Sequence, residues 1–425
     1  MLEITRSSAA GAAALVASLR ARNDEQNAKI TAAAAAIMDD VRSRGFEAVR
    51  EYSVRFDGGE PREVTPAELD EAVAKCSPEL IAALERSARN IYDYQSRLLP
   101  VSTSWEVPGG TLGQTVRGLH RVGIYVPGGV GAYPSSVLMN AIPAKVAGVG
   151  EIVMATPPTG NLNAAVMAAA KIAGVDRVIA VGGAQAVAAL TYGAGFIPRV
   201  DKLVGPGNAY VAAAKRLAFG QLDIDMVAGP SEVLVIADAT ADPAWVAADL
   251  LSQAEHGDLA GTVLVSTSEE LARAVAVEIE RQTALLPRRE IIEHSLEGFA
   301  ALIVTDTIED AAVLANEVAP EHCEIVTAHP REVLPLIKNA GAIFLGAYSP
   351  EPLGDYMAGP SHVLPTSGTA RFFSPLSVDS FIKRTSVIEF TKDGLAALSD
   401  DIIRIADAEG FGAHAASIAI RSDEK

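Results

Sequence analysis

The chain has 425 residues, of which 49% are hydrophobic and 21% are charged, and its 35 basic and 53 acidic side chains give a net charge of −18. This composition is typical of a globular protein of two or three domains and excludes a disordered chain. The excess of negative charge argues against nucleic acid or an anionic membrane as a partner. Two cysteines are too few for a disulfide framework, so we expect a reducing, cytoplasmic location.

The first hundred residues are predicted to be mainly helical. Residues 8–19 could serve as the apolar core of a signal peptide, but they are mostly alanine and run directly into Arg20, so we favour a short surface helix. A second helix is predicted over residues 66–75. Its start carries the features of a capping box, with Thr65 as the N-cap, proline at the first helical position and Glu68 three residues after the cap.

From residue 121 onward, predicted strands alternate with predicted helices. In the first series the strands are 121–126, 152–155, 177–181 and 202–204, and the helices are 135–147, 162–173, 184–192 and 209–219. In the second series the strands are 233–236, 263–266, 302–304, 325–328 and 343–345, and the helices are 244–255, 269–286, 310–318 and 332–340. Such alternation predicts parallel sheets covered by helices, here in two similar domains. A helical tail is predicted from about residue 394.

Three glycine-rich turns follow strands of the first series, at residues 127–131 (PGGVG), 182–185 (GGAQ) and 205–208 (GPGN). Glycine lets backbone amides approach an anion or a ribose, and the helix that follows adds a favourable dipole. Tight strand-to-helix turns also need glycine for purely structural reasons, and no turn matches the GxGxxG dinucleotide fingerprint. Gln185 and Asn208 add an amide side chain to two of the turns.

Two further segments carry groups suited to catalysis or metal binding. Gln253 and His256 are three residues apart near the end of a predicted helix, so they project from one face and can share a ligand, although a solvated last turn has the same pattern. Glu321 and His322 are a carboxylate and an imidazole at the start of a strand, which suits proton transfer. Cys323 suggests a thiolate nucleophile, but a small buried apolar residue is the interpretation we favour.

The last candidates lie in the C-terminal part of the chain. Asp355 and His362 belong to a long stretch rich in glycine, proline, serine and threonine, and such stretches in compact domains are usually functional. Glu409 and His414 lie near the end of the chain, where spacing alone would not single them out. Nor does spacing indicate which of the seven histidines meet in space.

Read together, these segments resemble the histidinol dehydrogenase family, which catalyses the last two steps of histidine biosynthesis. The resemblance runs from about Asn23 nearly to the C-terminus. The matching blocks are RVGIYVPGG from Arg121, VGGAQAVAALTYG from Val181, VGPGNAYVAAAKR from Val204, AGPSEVLVIAD from Ala228, LLSQAEH from Leu250, APEHCEI from Ala319, LGDYMAGPSHVLPTSGTARF from Leu353 and AEGFGAHAASI from Ala408.

The resemblance implies a fold, a domain division and a set of site residues. The fold is α/β, with two Rossmann-like parallel-sheet domains plus small helical N-terminal and C-terminal segments. The expected divisions are an N-terminal segment 1–22, a discontinuous α/β domain 23–120 and 232–376, an NAD-binding domain 121–231 and a helical tail 377–425. One Zn²⁺ per subunit is expected to be held by Gln253, His256, Asp355 and His414. The substrate is expected to contact these four residues and also Ser231, His322 and Glu409. NAD is expected to contact Tyr125, Gln185 and Asn208.

The reaction implied by the resemblance is the four-electron oxidation of L-histidinol to L-histidine through histidinaldehyde, with two NAD used in turn. His322 is expected to accept the alcohol proton, and Glu321 is expected to activate the water that adds to the aldehyde. The substrate's imidazole and amino nitrogens are expected to complete the zinc coordination. The resemblance also implies a homodimer whose C-terminal segment crosses to the partner, so that Glu409 and His414 complete the other subunit's site.

Two positions depart from the family pattern, since Gly257 replaces an acidic residue and Ser361 replaces an asparagine. A relative that oxidises another polar alcohol such as sulfopropanediol is therefore an alternative hypothesis. Two alternatives of other classes are a zinc hydrolase in which Glu321 activates water, with the glycine turns merely structural, and a metabolite-binding protein without catalytic activity. The presence of both Glu409 and His414 favours histidinol.

Overall fold

The computed structural model describes residues 3–6, 15–17, 19, 24–128, 132–158, 162–227 and 229–422. Most of the predicted surface helix 8–19, and the end of the first glycine turn at 129–131, lie outside these residues. The chain divides into two compact units. One unit contains Met1–Leu98 and Leu119–Phe381, and the other contains Leu99–Gly118 and Ile382–Lys425.

The described strands are, in chain order, β1 (Ile4–Arg6), β2 (Arg62–Val64), β3 (Thr103–Val107), β4 (Gly110–Gly118), β5 (Arg121–Tyr125), β6 (Glu151–Thr156), β7 (Arg177–Ala180), β8 (Lys202–Val204), β9 (Asp223–Ile224), β10 (Glu232–Ala237), β11 (Gly261–Ser266), β12 (Ala300–Val304), β13 (His322–Val326), β14 (Ala342–Leu345) and β15 (Ile382–Phe390).

The described helices are α1 (Asp24–Arg44), α2 (Phe46–Phe56), α3 (Pro66–Lys75), α4 (Pro78–Leu98), α5 (Pro134–Val146), α6 (Ala164–Ile172), α7 (Gly183–Tyr192), α8 (Ala209–Ala218), α9 (Pro243–Ala254), α10 (Glu269–Thr283), α11 (Arg289–Phe299), α12 (Ile308–Val318), α13 (Pro330–Val333), α14 (Glu351–Tyr356), α15 (Lys392–Ala408) and α16 (Gly412–Ser422). No described helix is both long enough and apolar enough to span a bilayer.

The first unit contains two six-stranded sheets, which confirms the predicted α/β fold. The β10 sheet has the order β1-β12-β11-β10-β13-β14, and all its strands are parallel. The β5 sheet has the order β2-β7-β6-β5-β8-β9, and only the edge pair of β2 and β7 is antiparallel. The edge strands β1 and β2 come first in the chain. The other strands of each sheet begin at the centre, with β10 or β5, and then extend outward in both directions, which is the doubly wound arrangement of Rossmann-like folds.

Both central strands, β5 and β10, are apolar along almost their whole length because helices cover both faces of each sheet. On the β5 sheet, α1 and α2 contribute to this cover, since Met38 and Val49 belong to the same buried cluster as Val187 and Leu190 of α7. Burying such side chains stabilises the fold by roughly 1.5–3 kcal/mol each. The helices that precede the strand–helix alternation are therefore part of the core of this sheet.

The predicted capping box of α3 is confirmed. The backbone N–H of Glu68 donates to the Thr65 hydroxyl oxygen over 3.3 Å, and the backbone N–H of Thr65 donates to the Glu68 carboxylate over 2.8 Å. The helix predicted over 332–340 is wrong beyond Val333, where a single 3₁₀ turn (Leu334–Leu336) follows α13. Pro335 explains this difference, because proline supplies no N–H for a helical hydrogen bond.

The second unit contains an antiparallel sheet of order β15-β4-β3 and the helices α15 and α16. The helical tail predicted from about residue 394 is confirmed, since α15 begins at Lys392. The segment 377–425 that the resemblance implies as a helical tail also contains strand β15 before this helix. Within the described part of this unit, Ala406 and Ala415 are the only buried apolar residues.

Candidate active site

The amino end of strand β13 carries Glu321 and His322, and the pairing of β13 with its neighbours fixes their position. His322 is in register with Val233 of β10 on one side and with Ala342 of β14 on the other. Side chains alternate along a strand, so His322 and Cys323 point to opposite faces. Cys323 lies in a buried apolar cluster with Leu234 and Val263, on the face turned away from His322.

The imidazole of His322 is buried, and one of its two nitrogens has a hydrogen-bond partner. Nδ1 lies 3.2 Å from the carbonyl oxygen of Glu232. A carbonyl oxygen can only accept, so Nδ1 carries the hydrogen and Nε2 is left as an acceptor. Nε2 is itself buried and has no hydrogen-bond partner among the described residues. Burial lowers the pKa of His322 to about 4, which keeps the ring neutral and Nε2 available to take a proton.

Helix α14 places two carboxyl groups on the Nε2 side of His322. Asp355 Oδ1 lies 3.8 Å from His322 Nε2, and Glu351 Oε1 lies 4.0 Å from it. The two acids are four residues apart and therefore share one face of the helix. Glu351 is not among the residues predicted from the sequence, although its spacing to Asp355 is a signal that could have found it. Ser252 donates a hydrogen bond of 3.1 Å to Glu351, and burial raises the pKa of Glu351 to about 8.

A group of metal-ligand type lies at the same place. The ligand atoms of His256, Glu351 and Asp355 are all within 4.8 Å of one another. Gln253 lies one helical turn before His256 and is fully buried, yet neither atom of its side-chain amide has a hydrogen-bond partner among the described residues. An unpaired buried amide costs about 1–3 kcal/mol, so it is a sign of a ligand that completes the site.

Glu321 contacts the opposite side of the His322 ring. Its Oε2 accepts a hydrogen bond of 3.0 Å from the backbone N–H of Glu232 and lies 3.8 Å from His322 Nδ1. Burial raises the pKa of Glu321 well above its usual range, with smaller contributions from the neighbouring acids, so its carboxylate is an unusually strong base. Burial also raises the pKa of Cys323 to about 12, which keeps the thiol protonated and argues against a thiolate nucleophile.

Ser231 and His362 are placed near this group. Ser231 immediately precedes β10, at the sheet edge where His322 begins β13. His362 has a partner for each ring nitrogen, because Nδ1 lies 3.2 Å from the carbonyl oxygen of Asp355 and Nε2 lies 3.3 Å from the Ser136 hydroxyl. This arrangement makes His362 a support for the helix α14 that carries Asp355.

The three residues predicted to contact NAD lie at the carboxyl ends of the β5 sheet, where open α/β sheets bind their ligands. Tyr125 ends β5, and its hydroxyl oxygen accepts a hydrogen bond of 3.0 Å from the N–H of Gly183. Gln185 is buried in the first turn of α7. Asn208 caps α8, with its side-chain oxygen accepting from Tyr210 N over 3.0 Å and from Val211 N over 3.1 Å.

A buried ion pair between Lys215 and Asp225 holds the turn that follows β8. Lys215 Nζ donates to the carbonyl oxygen of Gly205 over 2.8 Å, and Gly205 N donates to Asp225 over 2.8 Å. Gly205 has a φ of +104°, and a Cβ at this position would collide with the carbonyl oxygen of Tyr125. Glycine is therefore required at this turn, which lies between the ends of β5 and β8.

Glu409 and His414 belong to the second unit. Glu409 caps the C-terminus of α15, and His414 lies in the first turn of α16, where its ring centroid is 5.2 Å from that of Phe411.

Comparison with known proteins assigns the chain to a family. The family model for histidinol dehydrogenase matches residues 20–422. The chain belongs to the histidinol dehydrogenase family. A relative of that name from Heliobacterium mobile is 54% identical over 407 residues, which cover 94% of this chain and 95% of the relative. Another, from Clostridium acetobutylicum, is 52% identical and covers 95% of each chain.

A solved histidinol dehydrogenase structure, from Elizabethkingia anophelis, is 36% identical to the chain and superposes with a TM-score of 0.93 over 99% of this chain and 97% of that one. Membership of the histidinol dehydrogenase family makes the protein an oxidoreductase that acts on a small molecule.

Proposed function

We propose that the protein is a zinc-dependent histidinol dehydrogenase that oxidises L-histidinol to L-histidine through histidinaldehyde, with two NAD as acceptors. The observation that carries this proposal is the buried His322 Nε2, which lies 3.8 Å from Asp355 Oδ1, a carboxylate that shares a metal-ligand group with His256 and Glu351. A base and a metal-binding group at one place can hold an amino alcohol and remove its proton.

The donor set fits zinc. Gln253, His256 and Asp355 offer an amide oxygen, an imidazole nitrogen and a carboxylate oxygen, and His414 would add a second imidazole on the basis of the resemblance. Without thiolates, such a set suits an open site that accepts substrate atoms as ligands rather than a closed structural site. When bound, zinc would hold the amino and imidazole nitrogens of histidinol. Ser231 and Glu409 would add polar contacts to the substrate.

In the first oxidation, His322 would take the hydroxyl proton of histidinol on Nε2 as the hydride leaves the same carbon. The Nδ1–H contact with the Glu232 carbonyl fixes the ring during this transfer, and it also stabilises the positive charge that the ring gains. A base held within hydrogen-bond reach typically contributes about 10²–10⁴-fold to the rate of such a step.

In the second oxidation, Glu321 would take a proton from the water that adds to the aldehyde. Its Oε2 is held by Glu232 N, and its Oε1 accepts no hydrogen bond from any residue that the structure describes. The second oxygen is thus free to accept from water. His322, adjacent in sequence, would then remove a proton from the hydrated aldehyde, so both bases act at one carbon.

NAD would bind at the carboxyl ends of the β5 sheet and accept the hydride in each step. Tyr125, Gln185 and Asn208 are the residues assigned to it by the resemblance. The switch point between β5 and β8, where the winding direction of the sheet reverses, supports this assignment because open α/β sheets bind ligands there.

The second unit supports the proposal of a homodimer. Its apolar side chains remain largely exposed, among them Ile388 at 74%, Ile420 at 67% and Ile405 at 62%. A unit with so few buried apolar residues gains little stability by itself and needs a further surface to cover it. We propose that a second copy of the chain supplies this surface and that the C-terminal segment brings Glu409 and His414 to the partner's site.

The decisive experiment measures NADH formation by the purified protein with L-histidinol and Zn²⁺, with two NADH expected per histidinol. The same assay with sulfopropanediol distinguishes a relative with another alcohol. Zinc binding without any NADH formation would refute the proposal and favour the hydrolase or the metabolite-binding protein. A cytoplasmic location remains a prediction from the low cysteine content.

A further inference from the structure

Asp57 approaches the proposed coenzyme site from outside the β5 sheet. It is the C-cap residue of α2, and its carboxylate reaches the turn that follows β7. There Oδ2 accepts a hydrogen bond of 2.9 Å from Gly182 N and one of 3.2 Å from the side-chain amide of Gln185. A third bond, from the Ser53 hydroxyl over 3.0 Å, fixes the carboxylate from its own helix.

This carboxylate fills the place at which a helix N-terminus would otherwise receive an anion. Gly182 is the N-cap of α7, and its N–H points at Asp57 rather than at open space. Helix N-termini attract phosphate through such N–H groups and the helix dipole. Here the protein supplies the negative charge itself, so a phosphate of the coenzyme would be repelled from the same position.

The other oxygen, Oδ1, remains able to accept a hydrogen bond. Among the described residues none donates to it. A Cβ built on Gly182 would lie 2.8 Å from this oxygen and 2.6 Å from Cγ of Pro157, which places Asp57 Oδ1 beside the ends of both β6 and β7. Dinucleotide-binding sheets commonly present an acidic side chain at this edge, where it accepts from the ribose hydroxyls of NAD.

We infer that Asp57 makes the coenzyme site selective for NAD over NADP, by accepting from a ribose hydroxyl and repelling the additional phosphate of NADP. The inference depends on the proposed function, since it assumes that the coenzyme binds at the β5 sheet. Asp57 also holds the amide of Gln185, which the resemblance places against NAD, so one carboxylate both orients a coenzyme contact and discriminates between the two coenzymes.

The test compares the dissociation constants of NADH and NADPH, measured by titrating the fluorescence of the reduced nicotinamide. The variants are Asp57→Asn, which keeps the shape and an acceptor but loses the charge, and Asp57→Ser, which also opens space. Asp242→Asn is the matched control, because Asp242 likewise caps a helix with its carboxylate, at the start of α9, which packs against the β10 sheet.

The wild type should bind NADH at least about tenfold more tightly than NADPH, and each Asp57 variant should reduce that preference by about tenfold, the order expected for one like-charge contact near a surface. The control should keep the preference. Equal affinities of the wild type for NADH and NADPH would overturn the inference even if neither variant folds. An unchanged preference for NADH in folded Asp57 variants would also overturn it. A wild type that binds neither nucleotide would instead refute the coenzyme assignment of the proposed function.

Discussion

The Nδ1 atom of His322 lies 3.2 Å from the carbonyl oxygen of Glu232, on the neighbouring strand of the β10 sheet. Because β10 and β13 pair in parallel with Val233 opposite His322, the backbone of one strand sets the tautomer of a side chain on the other. The basic nitrogen is therefore oriented by the backbone of two paired strands inside the sheet. This arrangement favours proton transfer at Nε2, since the ring needs no reorientation before it accepts a proton.

Replacing this base should stop both oxidations. We expect His322→Gln to lower the rate of NADH formation by about 10²–10⁴-fold with histidinol and with histidinaldehyde alike. Zinc affinity should stay close to that of the wild type, because His322 is not among the proposed ligands. His294→Gln, at an exposed position of α11, is the control. A His322→Gln rate within tenfold of the wild type would exclude His322 as the base.

Glu321→Gln should separate the two steps. The amide oxygen of glutamine can still accept from Glu232 N, so the local structure should persist, but the amide cannot take a proton from water. We expect oxidation of histidinol to the aldehyde to be largely retained and oxidation of the aldehyde to fall by about 10²-fold or more. Single-turnover measurements started from each substrate provide the comparison. Equal loss of both steps would refute this division of roles.

The stability of the same variant relative to the wild type should increase as the pH rises. The pKa of Glu321 in the folded protein is raised above its unfolded value by burial, so its contribution to stability is full below the unfolded pKa and is lost as pH rises through the folded pKa. Glutamine has no proton to lose. In chelator-treated protein, the urea midpoint of Glu321→Gln should exceed that of the wild type by more at pH 8 than at pH 5.

Glu85→Gln, at an exposed position of α4, is the control for that measurement and should show little change of midpoint with pH relative to the wild type. If the difference in urea midpoint between Glu321→Gln and the wild type shrinks toward pH 8, the raised pKa assigned to Glu321 is contradicted.

Cys323 should be dispensable for catalysis. Burial raises its pKa to about 12, and its side chain packs into the apolar cluster on the face of β13 turned away from His322. We expect Cys323→Ala to retain both oxidations within a few-fold and to lose roughly 1 kcal/mol of unfolding free energy through the smaller side chain. Iodoacetamide should not inactivate the folded wild type. Selective loss of aldehyde oxidation in Cys323→Ala would restore the thiolate hypothesis.

The alternation of strands and helices could be read from the sequence because each parallel strand is a short apolar run between turn residues. The antiparallel sheet of the second unit could not be predicted from the sequence, because β3 and β15 are exposed along most of their length and show no period-two burial. Pairing of β4 with β15 also joins segments that are far apart in the chain, and no local signal indicates such pairing.

The site residues were predicted through the family resemblance, because spacing alone does not show that α9, β13 and α14 converge. Two residues of these sites were not predicted even with the family resemblance. Glu351 lies in a short helix without a periodic pattern, and only its spacing to Asp355 relates it to the site. Asp57 ends a helix and lies 125 residues before Gly182 in the chain, so its approach to Gly182 depends on the packing of α2 against the β5 sheet. Both contacts are tertiary, so local sequence carries no signal for them.

Gln253 should contribute more to zinc affinity than to folding. Its buried amide has no partner among the described residues, so Gln253→Leu removes an unsatisfied polar group while filling similar volume. We expect zinc affinity, measured by competition with a chelating dye, to fall at least about tenfold, with an unfolding midpoint equal to or above that of the zinc-free wild type. Gln282→Leu is the control, because Gln282 donates to Ala244 O over 2.8 Å and should lose stability without losing zinc. Unchanged zinc affinity in Gln253→Leu together with reduced zinc affinity in Gln282→Leu would refute the role of Gln253.

Mixing two inactive variants should restore activity if the C-terminal segment completes the partner's site. In a heterodimer of His414→Ala with His322→Gln, one site combines an intact His322 with an intact His414 and the other has both defects. Random reassortment after joint refolding would make about a quarter of all sites intact, so about a quarter of the wild-type rate is expected. The pair His322→Gln with Glu321→Gln should recover no oxidation of histidinaldehyde, because both defects lie in the same unit of the chain and neither site of the heterodimer then has both bases. If heterodimers form and the first pair also recovers nothing, each site takes His414 from its own chain.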